Sequence, residues 1–451
     1  MAKKPTMKKE TSERKDSLGQ FFTYNQRVQN VMKDLVKNKT GTTLEPSAGD
    51  GALLGLLHKS FPEMKIHGVE YDVSIKNKSG IKITYDDFFH FSEGLEPSYD
   101  LIFGNPPYLA YKNVDNVVRE NLKELVSGFH AKVNLYHLFI YRAADLLKEK
   151  GELIYIVPKE WLYTTSANDL RVHLDGLGSF SHIIDCGEEK LFVDADIPSL
   201  MIFRWVKGKR NRNLKFASSL EAALSRKWVE KSLISHNGRW SILSNDLVKL
   251  TSSWGTFSDF YEVKVGLVTG LDKAFKVNQK DTFEKKYLQS QVDTTKKPQL
   301  FLNLNSIDKE SEIPLNILTH LIKHKDLLKG RKISNFNESN WWKYGAIRNE
   351  EIMKSKKPRF YALVKTRDAE PFFLAKAKFF TGGVLGIFQK TKSDISIQDA
   401  VILLNSSNYR IIFEGYFFTT NDKLSLQPAT LNDIPWPRSK EELDRFLSLN
   451  L

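Results

Sequence analysis

Residues 17–210 predict an α/β domain built on a doubly wound, mostly parallel sheet, and three observations carry that expectation. Short apolar runs of strand length, TTLEP, KIHGVEY, IKITY, YDLIFG, ELIYIVP and SHIID, recur between residues 42 and 185. Several are separated by helical spacing, as in Leu135, Leu138, Phe139, Ala143, Leu146 and Leu147. Polar or glycine-containing turns close the first four runs. Strands that alternate with helices in this way form a parallel sheet covered on both faces. Sheets of this kind bind ligands beyond the carboxyl ends of their strands, where strand order reverses, so those ends are where function is expected.

Composition sets the frame. A chain of 451 residues exceeds the size at which single cores stop growing, so two domains are expected. No apolar run approaches the roughly 18 residues of a membrane span, and the lysine-rich start MAKKPTMKKE contains no signal-like apolar segment, which predicts a soluble protein with no membrane partner. Cys186 is the only cysteine, which excludes an intramolecular disulfide and a cysteine-based zinc cluster and suits a reducing, cytoplasmic compartment; no metal site is expected. Net charge is 67 − 54 = +13, with basic residues gathered in VKGKRNRNLK (206–215) and between Lys323 and Arg359. Each run alone is equally a solvated surface, but together they favour a polyanionic partner.

Four successive strand ends carry chemistry. The first is LEPSAGDGALL, where Gly49 and Gly51 allow a tight turn and close backbone approach ahead of a helix. Its spacing is not the full GxGxxG, and a two-glycine turn is also plain α/β architecture. The second ends in Val69-Glu70-Tyr71-Asp72, an acid about 20 residues after the glycines, where acids in this topology hold ribose hydroxyls. The third ends in Asp86-Asp87-Phe88-Phe89, which also reads as a capped turn with core aromatics. The fourth ends in Gly104-Asn105-Pro106-Pro107-Tyr108. Two adjacent prolines remove two donors and fix two φ angles, so no interior strand continues through them and something other than sheet pairing uses the turn.

The order of these elements resembles the gamma-class adenine-N6 DNA methyltransferases of restriction-modification systems and phages. GQFFTYNQRVQNVM (19–32) is similar to the family's opening cofactor motif, with Tyr24 where the family usually has proline. LEPSAGDG follows as the S-adenosylmethionine loop, then VEYD, DDFF and NPPY, and NLYHLFIYRAADLLKEKGELIYIVPKEWL (134–162) resembles the helix and strand after the catalytic turn. The likeness covers about the first 205 residues. It implies a Rossmann-like S-adenosylmethionine-dependent methyltransferase domain followed by a mixed α+β target-recognition domain. It also implies S-adenosylmethionine as cofactor, with Thr23 at the methionine end, Glu45 beneath the methionine part and Ser47, Gly49 and Gly51 in the loop. Glu70 would hold the ribose hydroxyls, and Asp87 the cofactor's adenine amine with Phe88 against its ring. Asp86 is the alternative if the register slips by one.

The turn itself has a physical reading. The exocyclic amine of adenine is a poor nucleophile because its lone pair is delocalised, and two acceptors aimed at its N–H groups favour a more tetrahedral nitrogen. The Asn105 side-chain oxygen and the Pro106 carbonyl are candidate acceptors, and Asn105 also borders the cofactor site. Transfer from a sulfonium then needs alignment more than a strong base. A base in a duplex must be flipped out, at a cost of a few kcal/mol, and Tyr108 is the candidate stacking face, which returns about 1–3 kcal/mol. Phe192, in KLFVDADIPSLMIF, matches the region where the family sets a second aromatic; its other reading is a core phenylalanine.

Beyond VKGKRNRN the periodic signal fades. Residues 1–16 read as a basic mobile tail, 17–210 as the catalytic domain, 211–253 as a connector and 254–451 as a DNA target-recognition domain. VGLVTGLDKAFKV (265–277) is similar to the entry of such domains. The DNA-facing candidates are Trp341, Trp342, Lys343, Lys356, Lys357 and Arg359, since aromatics with interleaved cations contact phosphates or wedge a gap in the stack. They read equally as a core tryptophan pair and a solvated loop. KTRDAEPFF and TTNDKLSLQP read as further loops, and the ending as a proline turn and a short amphipathic helix. The expected partner is double-stranded DNA; a separate cognate restriction endonuclease would lie outside this chain, and one recognition domain suits a monomer. Enzymes that methylate guanine-N2 in RNA or a glutamine amide share the NPPY turn, but usually carry a substrate domain before the cofactor loop, which only about 40 residues precede here. A non-enzymatic DNA-binding protein would be expected to show damage in these motifs, and none is visible.

Overall fold

The computed structural model describes residues 19, 21–187, 189–192, 199–208, 210–278, 283–416, 419–420 and 423–449. The tail expected over 1–16 lies outside the described residues, as do residues 421–422 of TTNDKLSLQP. The chain divides into two compact units, residues 1–249 and 250–451.

The six apolar runs of the first unit are strands, as expected. β1 (Gly41–Glu45), β2 (Met64–Glu70), β3 (Ile83–Tyr85), β4 (Tyr99–Gly104), β5 (Leu147–Pro158) and β6 (Gly178–Asp185) are joined by β7 (Leu200–Lys207), β8 (Asn213–Ala217), β9 (Val229–His236) and β10 (Arg239–Ser244) in one ten-stranded sheet. Its order is β10-β9-β8-β6-β7-β5-β4-β1-β2-β3. β3, β2, β1, β4 and β5 pair in parallel, and β7 runs antiparallel between β5 and β6. Strand order reverses between β1 and β4, because β2 and β3 lie to one side and β5 to the other. Glu70 pairs with Tyr85, and Gly104 with Tyr155, so the carboxyl ends that carry Glu45, Glu70, Asp87 and Asn105 stand along one edge.

Residues 211–253, expected as a connector, instead contribute three strands to the sheet. β8 pairs parallel to β6, and β9 and β10 extend the same sheet antiparallel. The sequence hides this because β8 and β9 read NLKFA and VEKSLISH, edge-like strands with charged faces rather than buried runs.

Local chemistry fixes the helices. α1 (Gln26–Leu35) starts at Asn25, whose side chain accepts from the Arg27 and Val28 N–H groups, and it buries Val28, Val31, Met32 and Leu35 at helical spacing. α2 (Ala52–Ser60) follows the glycine loop, α3 (Phe88–Phe91) is capped by Asp87, and α4 (Asn116–Val126) by Asp115. α5 (Leu135–Leu146) begins with a reciprocal box between Asn134 and His137. The core beneath the sheet edge contains Leu101, Phe103, Ile154, Ile156, Ile184 and Ile202, all fully buried. Cys186 lies among them, and burial pushes its thiol up.

The second unit holds two four-stranded sheets. One runs Tyr261–Val265, Val384–Gln389, Arg359–Leu363, Phe372–Phe373, and the other Lys276–Val277, Pro298–Leu302, Leu288–Val292, Phe379–Phe380. The chain ends in the expected amphipathic helix, Lys440–Leu447.

Two of the six sequence-based DNA candidates are committed to this unit's interior. Trp341 and Trp342 are both 0% exposed, with their indole N–H groups donating to Glu310 Oε2 at 2.9 Å and to the Ile307 carbonyl at 3.2 Å. They are core residues, because burying so much apolar surface outweighs any gain from exposing it. The Arg359 guanidinium donates to the Met353 and Ser355 carbonyls and lies over Phe388. Lys343 pairs with Asp308. The buried Arg331 donates to the Trp341 and Lys343 carbonyls, while Lys325 and Lys329 share the exposed Glu338 at the surface. Lys356 and Lys357 remain exposed, the latter 3.9 Å from Glu262.

Among the described residues no helix is long and apolar enough to cross a membrane. Replacing Trp342 with alanine is expected to destabilise the second unit by about 3–5 kcal/mol. Urea denaturation checks this, and an unchanged midpoint would contradict the core assignment.

Candidate active site

A cleft opens at the switch point of the first unit. Its open space is about 780 Å³ counting the mouth. Ser47, Gly49, Glu70, Asp87, Phe88 and Asn105 line it, six of the residues singled out by sequence. Phe21, Phe22, Pro46, Tyr71, Phe89, Pro107, Leu109, Val114, Asp115, Val118, Leu135 and Phe139 complete the wall. Leu109, Val114, Asp115 and Val118 stand outside the motifs recognised in the sequence, whereas the other eight lie inside them.

The glycine loop is shaped by two left-handed residues. Gly49 has φ +55°, and a Cβ there would stand 2.7 Å from the Phe22 ring; Gly51 has φ +85° and opens α2, with Ser79 in the way of any Cβ. Gly51 is absent from the cleft wall, so it shapes the turn. The Gly49 N–H donates to Glu70 Oε2 at 2.7 Å and the Asp72 N–H to Glu70 Oε1 at 2.8 Å. Glu70 is therefore held by the loop it faces. Burial pushes its carboxyl up, against the pull of those backbone donors.

Of the two acids after β3, Asp87 lines the cleft. It caps α3 through the Phe89 N–H and accepts from Asn121 Nδ2 at 2.7 Å, while burial raises its pKa. Asp86 instead engages His90 at 2.9 Å. Phe88 packs against Phe139 with ring centroids 5.0 Å apart.

Glu45 lies beneath the floor, 2% exposed, with Oε2 buried and bonded to nothing among the described residues. Burial, then the charges of Glu70 and Asp50, raise its pKa well above the ordinary carboxylate range, so the site favours a proton or a cation. Gly104 leaves room for it: a Cβ there would touch Glu45 Cγ at 3.4 Å.

Asn105 joins the parts. Its Nδ2 donates to the Phe21 carbonyl at 2.6 Å and to Thr23 Oγ1 at 3.1 Å; its backbone carbonyl accepts from Ser47 Oγ at 3.0 Å. Thr23 is thus buried behind the cleft as a support. Tyr24, in the family's proline position, donates to Asp50 Oδ2 at 2.7 Å, where Lys78 also bonds, so its hydroxyl ties the opening segment to the loop. The Pro106 carbonyl accepts no hydrogen bond from the described residues.

Tyr108 Oη stands 2.5 Å from Asn105 Oδ1 and 2.8 Å from the Ile156 carbonyl, and its single proton serves one acceptor at a time. Its half-buried ring meets Phe21 at 5.7 Å and Phe192 at 6.4 Å. The Phe192 and Tyr108 planes differ by 65°, so the two rings do not form a ready-made sandwich. Phe192 is 5% exposed and belongs to the core cluster.

The first unit has the Rossmann-like methyltransferase fold, and a second mixed α+β unit follows it. Residues 24–192 match the family described as Eco57I restriction-modification methylase. Along most of its length the chain is similar to the type II methyltransferase M.HindII of Haemophilus influenzae, with 26% identity across 94% of this chain and 90% of that one. The type II methyltransferase M.TthHB8I of Thermus thermophilus is 33% identical across 30% of this chain and 33% of its own. Among solved structures, the type IIL restriction-modification enzyme MmeI in complex with DNA shares the fold over 97% of this chain and 65% of that one, with a TM-score of 0.56 and 11% identity.

A Gly49→Ala variant is expected to lose about 1–2 kcal/mol from the left-handed backbone alone, with the Phe22 contact adding to it. Thermal unfolding measures this; a wild-type midpoint would mean that the loop relaxes without strain.

Proposed function

We propose that this chain is a site-specific DNA methyltransferase that moves a methyl group from S-adenosylmethionine to the N6 amine of an adenine flipped out of duplex DNA. The observation that carries the reading is the NPPY turn at the switch point, on the rim of a cleft lined by Glu70 and Asp87. The product would shield DNA from a cognate endonuclease. The enzyme would act in the cytoplasm of a bacterial or phage-infected cell, as a monomer on one target base.

The cleft fits the cofactor. The Glu70 carboxylate, held by the Gly49 and Asp72 backbone donors, is an acceptor on the cleft wall of the kind that suits ribose hydroxyls. Asp87 and Phe88 suit an amine and a flat ring, and the unpartnered Glu45 Oε2 suits the positive end of a methionine part above it. When bound, S-adenosylmethionine supplies an electrophilic sulfonium methyl group.

The chain's own residues then handle the base. Asn105 Oδ1 has a set direction because Nδ2 is fixed on Phe21 and Thr23, and the Pro106 carbonyl is an open acceptor on a rigid ring. Turning the Tyr108 O–H toward the Ile156 carbonyl leaves Asn105 Oδ1 to accept from an amine. Fixed acceptors cost no reorganisation as charge develops on the nitrogen, which is the basis of transition-state stabilisation. Given the 65° tilt between the rings, a base stacked on Tyr108 would not lie parallel to Phe192 as well.

Asn105→Ala is expected to abolish transfer while S-adenosylmethionine affinity falls less than tenfold, through loosening of Phe21 and Thr23. Long-read sequencing of DNA from a methylation-free host that expresses each form decides it. Modified adenine at one short motif, lost in the variant, supports the reading; unmodified DNA from soluble wild type, or undiminished modification by Asn105→Ala, overturns it. Separately, Glu70→Ala should raise the dissociation constant for S-adenosylmethionine at least tenfold by calorimetry. An unchanged value would mean that the ribose is held elsewhere.

A further inference from the structure

With Trp341, Trp342 and Arg331 buried inside the second unit, its exposed polar surfaces are where a DNA-reading face has to be sought. A polar groove lies at one end of the sheet formed by Lys276–Val277, Pro298–Leu302, Leu288–Val292 and Phe379–Phe380. Its open space is about 1400 Å³ counting the mouth. Leu288 pairs with Leu302, and Gln291 with Phe379 in parallel, so the segments at 286–290, 303–306 and 376–378 converge on the same end. Gln289, Asn303, Asn305, Ile347, Lys376 and Lys378 stand in its wall.

The amides there are preset. Gln291, 0% exposed, donates its side-chain N–H groups to Gln289 Oε1 and to Tyr344 Oη, both at 2.9 Å, and Tyr344 in turn donates to the Leu302 carbonyl. The Tyr344 N–H donates to Asn305 Oδ1 at 2.8 Å, and Asn305 Nδ2 to Asn303 Oδ1 at 2.7 Å. With their oxygens pinned, Gln289 and Asn303 keep their NH₂ groups unbonded among the described residues. This arrangement opposes core stability, since Gln291 Oε1 is buried without a donor where an apolar side chain would carry no such penalty. Orienting the groove amides gives that glutamine a use.

Charge and apolar surface complete the pattern. Lys376 and Lys378 are exposed and pair with no carboxylate among the described residues, whereas Glu350, in the same wall, is taken by Lys354. Ile347 is 49% exposed beside them. Fixed amide donors match base-edge acceptors such as purine N7, guanine O6 and thymine O4; lysines match phosphates, and an exposed aliphatic side chain matches the thymine methyl.

We propose that this groove is the surface of the second unit that reads base edges in the major groove of duplex DNA, with Gln289 and Asn303 as reading amides and Lys376 and Lys378 as phosphate contacts. The proposal rests on the DNA-methyltransferase reading and assigns its sequence specificity.

The test selects from a randomised duplex DNA pool on the full-length chain, without any methyl transfer, and then measures affinity for the selected duplex by fluorescence anisotropy across a salt series. Wild type should retain one short motif. Gln289→Ala and Asn303→Ala should each accept other bases at one position, losing about 5- to 150-fold of discrimination there. Lys376→Ala and Lys378→Ala, on exposed side chains that no core contact needs, should keep the motif but bind more weakly, with the log–log salt slope reduced by about one each. The proposal is overturned if wild type retains no motif, or if folded Gln289→Ala keeps the wild-type motif undiluted and the lysine variants keep the salt slope. A relaxed motif in the variants together with unmodified adenine in the sequencing experiment would support the reading surface while removing the methyl-transfer function.

Discussion

The Asn105 carboxamide ties together segments that are far apart in the chain. Through Nδ2 it holds the opening segment at Phe21 and Thr23, through Oδ1 it meets Tyr108, and its backbone carbonyl takes the Ser47 hydroxyl of the glycine loop. The strand that delivers it, β4, is buried on both faces and adjoins β1 at the point where strand order reverses. A side chain fixed at that place by three partners has a direct physical advantage. Its acceptor is aimed before any ligand arrives, so none of the binding energy goes into orienting it.

The cleft around it stores the opposite of a comfortable charge distribution. Glu45, Glu70 and Asp87 are gathered in a low-dielectric site, and burial is the largest influence raising each of them. Backbone donors steady Glu70 and Asp87, but Glu45 has an oxygen with no partner. A ligand rich in hydroxyl and amine donors, with a positive end, relieves that cost, which makes acid burial a source of selectivity.

The second unit divides its charge differently. Arg331 and Arg359 satisfy carbonyls, and Lys325, Lys329 and Lys343 satisfy carboxylates, so these cations stabilise loops between core tryptophans and strands. The lysines left without acidic partners at the sheet end, Lys376 and Lys378, lie in sequence between two phenylalanine-rich strands and attract no notice there. Total charge therefore says little about where a polyanion would sit.

Sequence alone determined the apolar-run strands of the first unit, their turn chemistry and the set of acids at their ends, because short apolar runs, glycine turns and proline breaks are local effects written in adjacent residues. It placed Ser47, Gly49, Glu70, Asp87, Phe88 and Asn105, all of which line one cleft. Tertiary structure decided what depends on distant partners. It drew three strands of 211–253, expected as a connector, into the sheet, where β8 pairs with both β6 and β9. It moved Trp341 and Trp342 from a surface to a core, settled Asp87 over Asp86 at the cleft, and set the tilt between Tyr108 and Phe192. Whether an aromatic or a cation faces solvent is fixed by which other segment covers it, and that information resides in contacts between residues far apart in the chain.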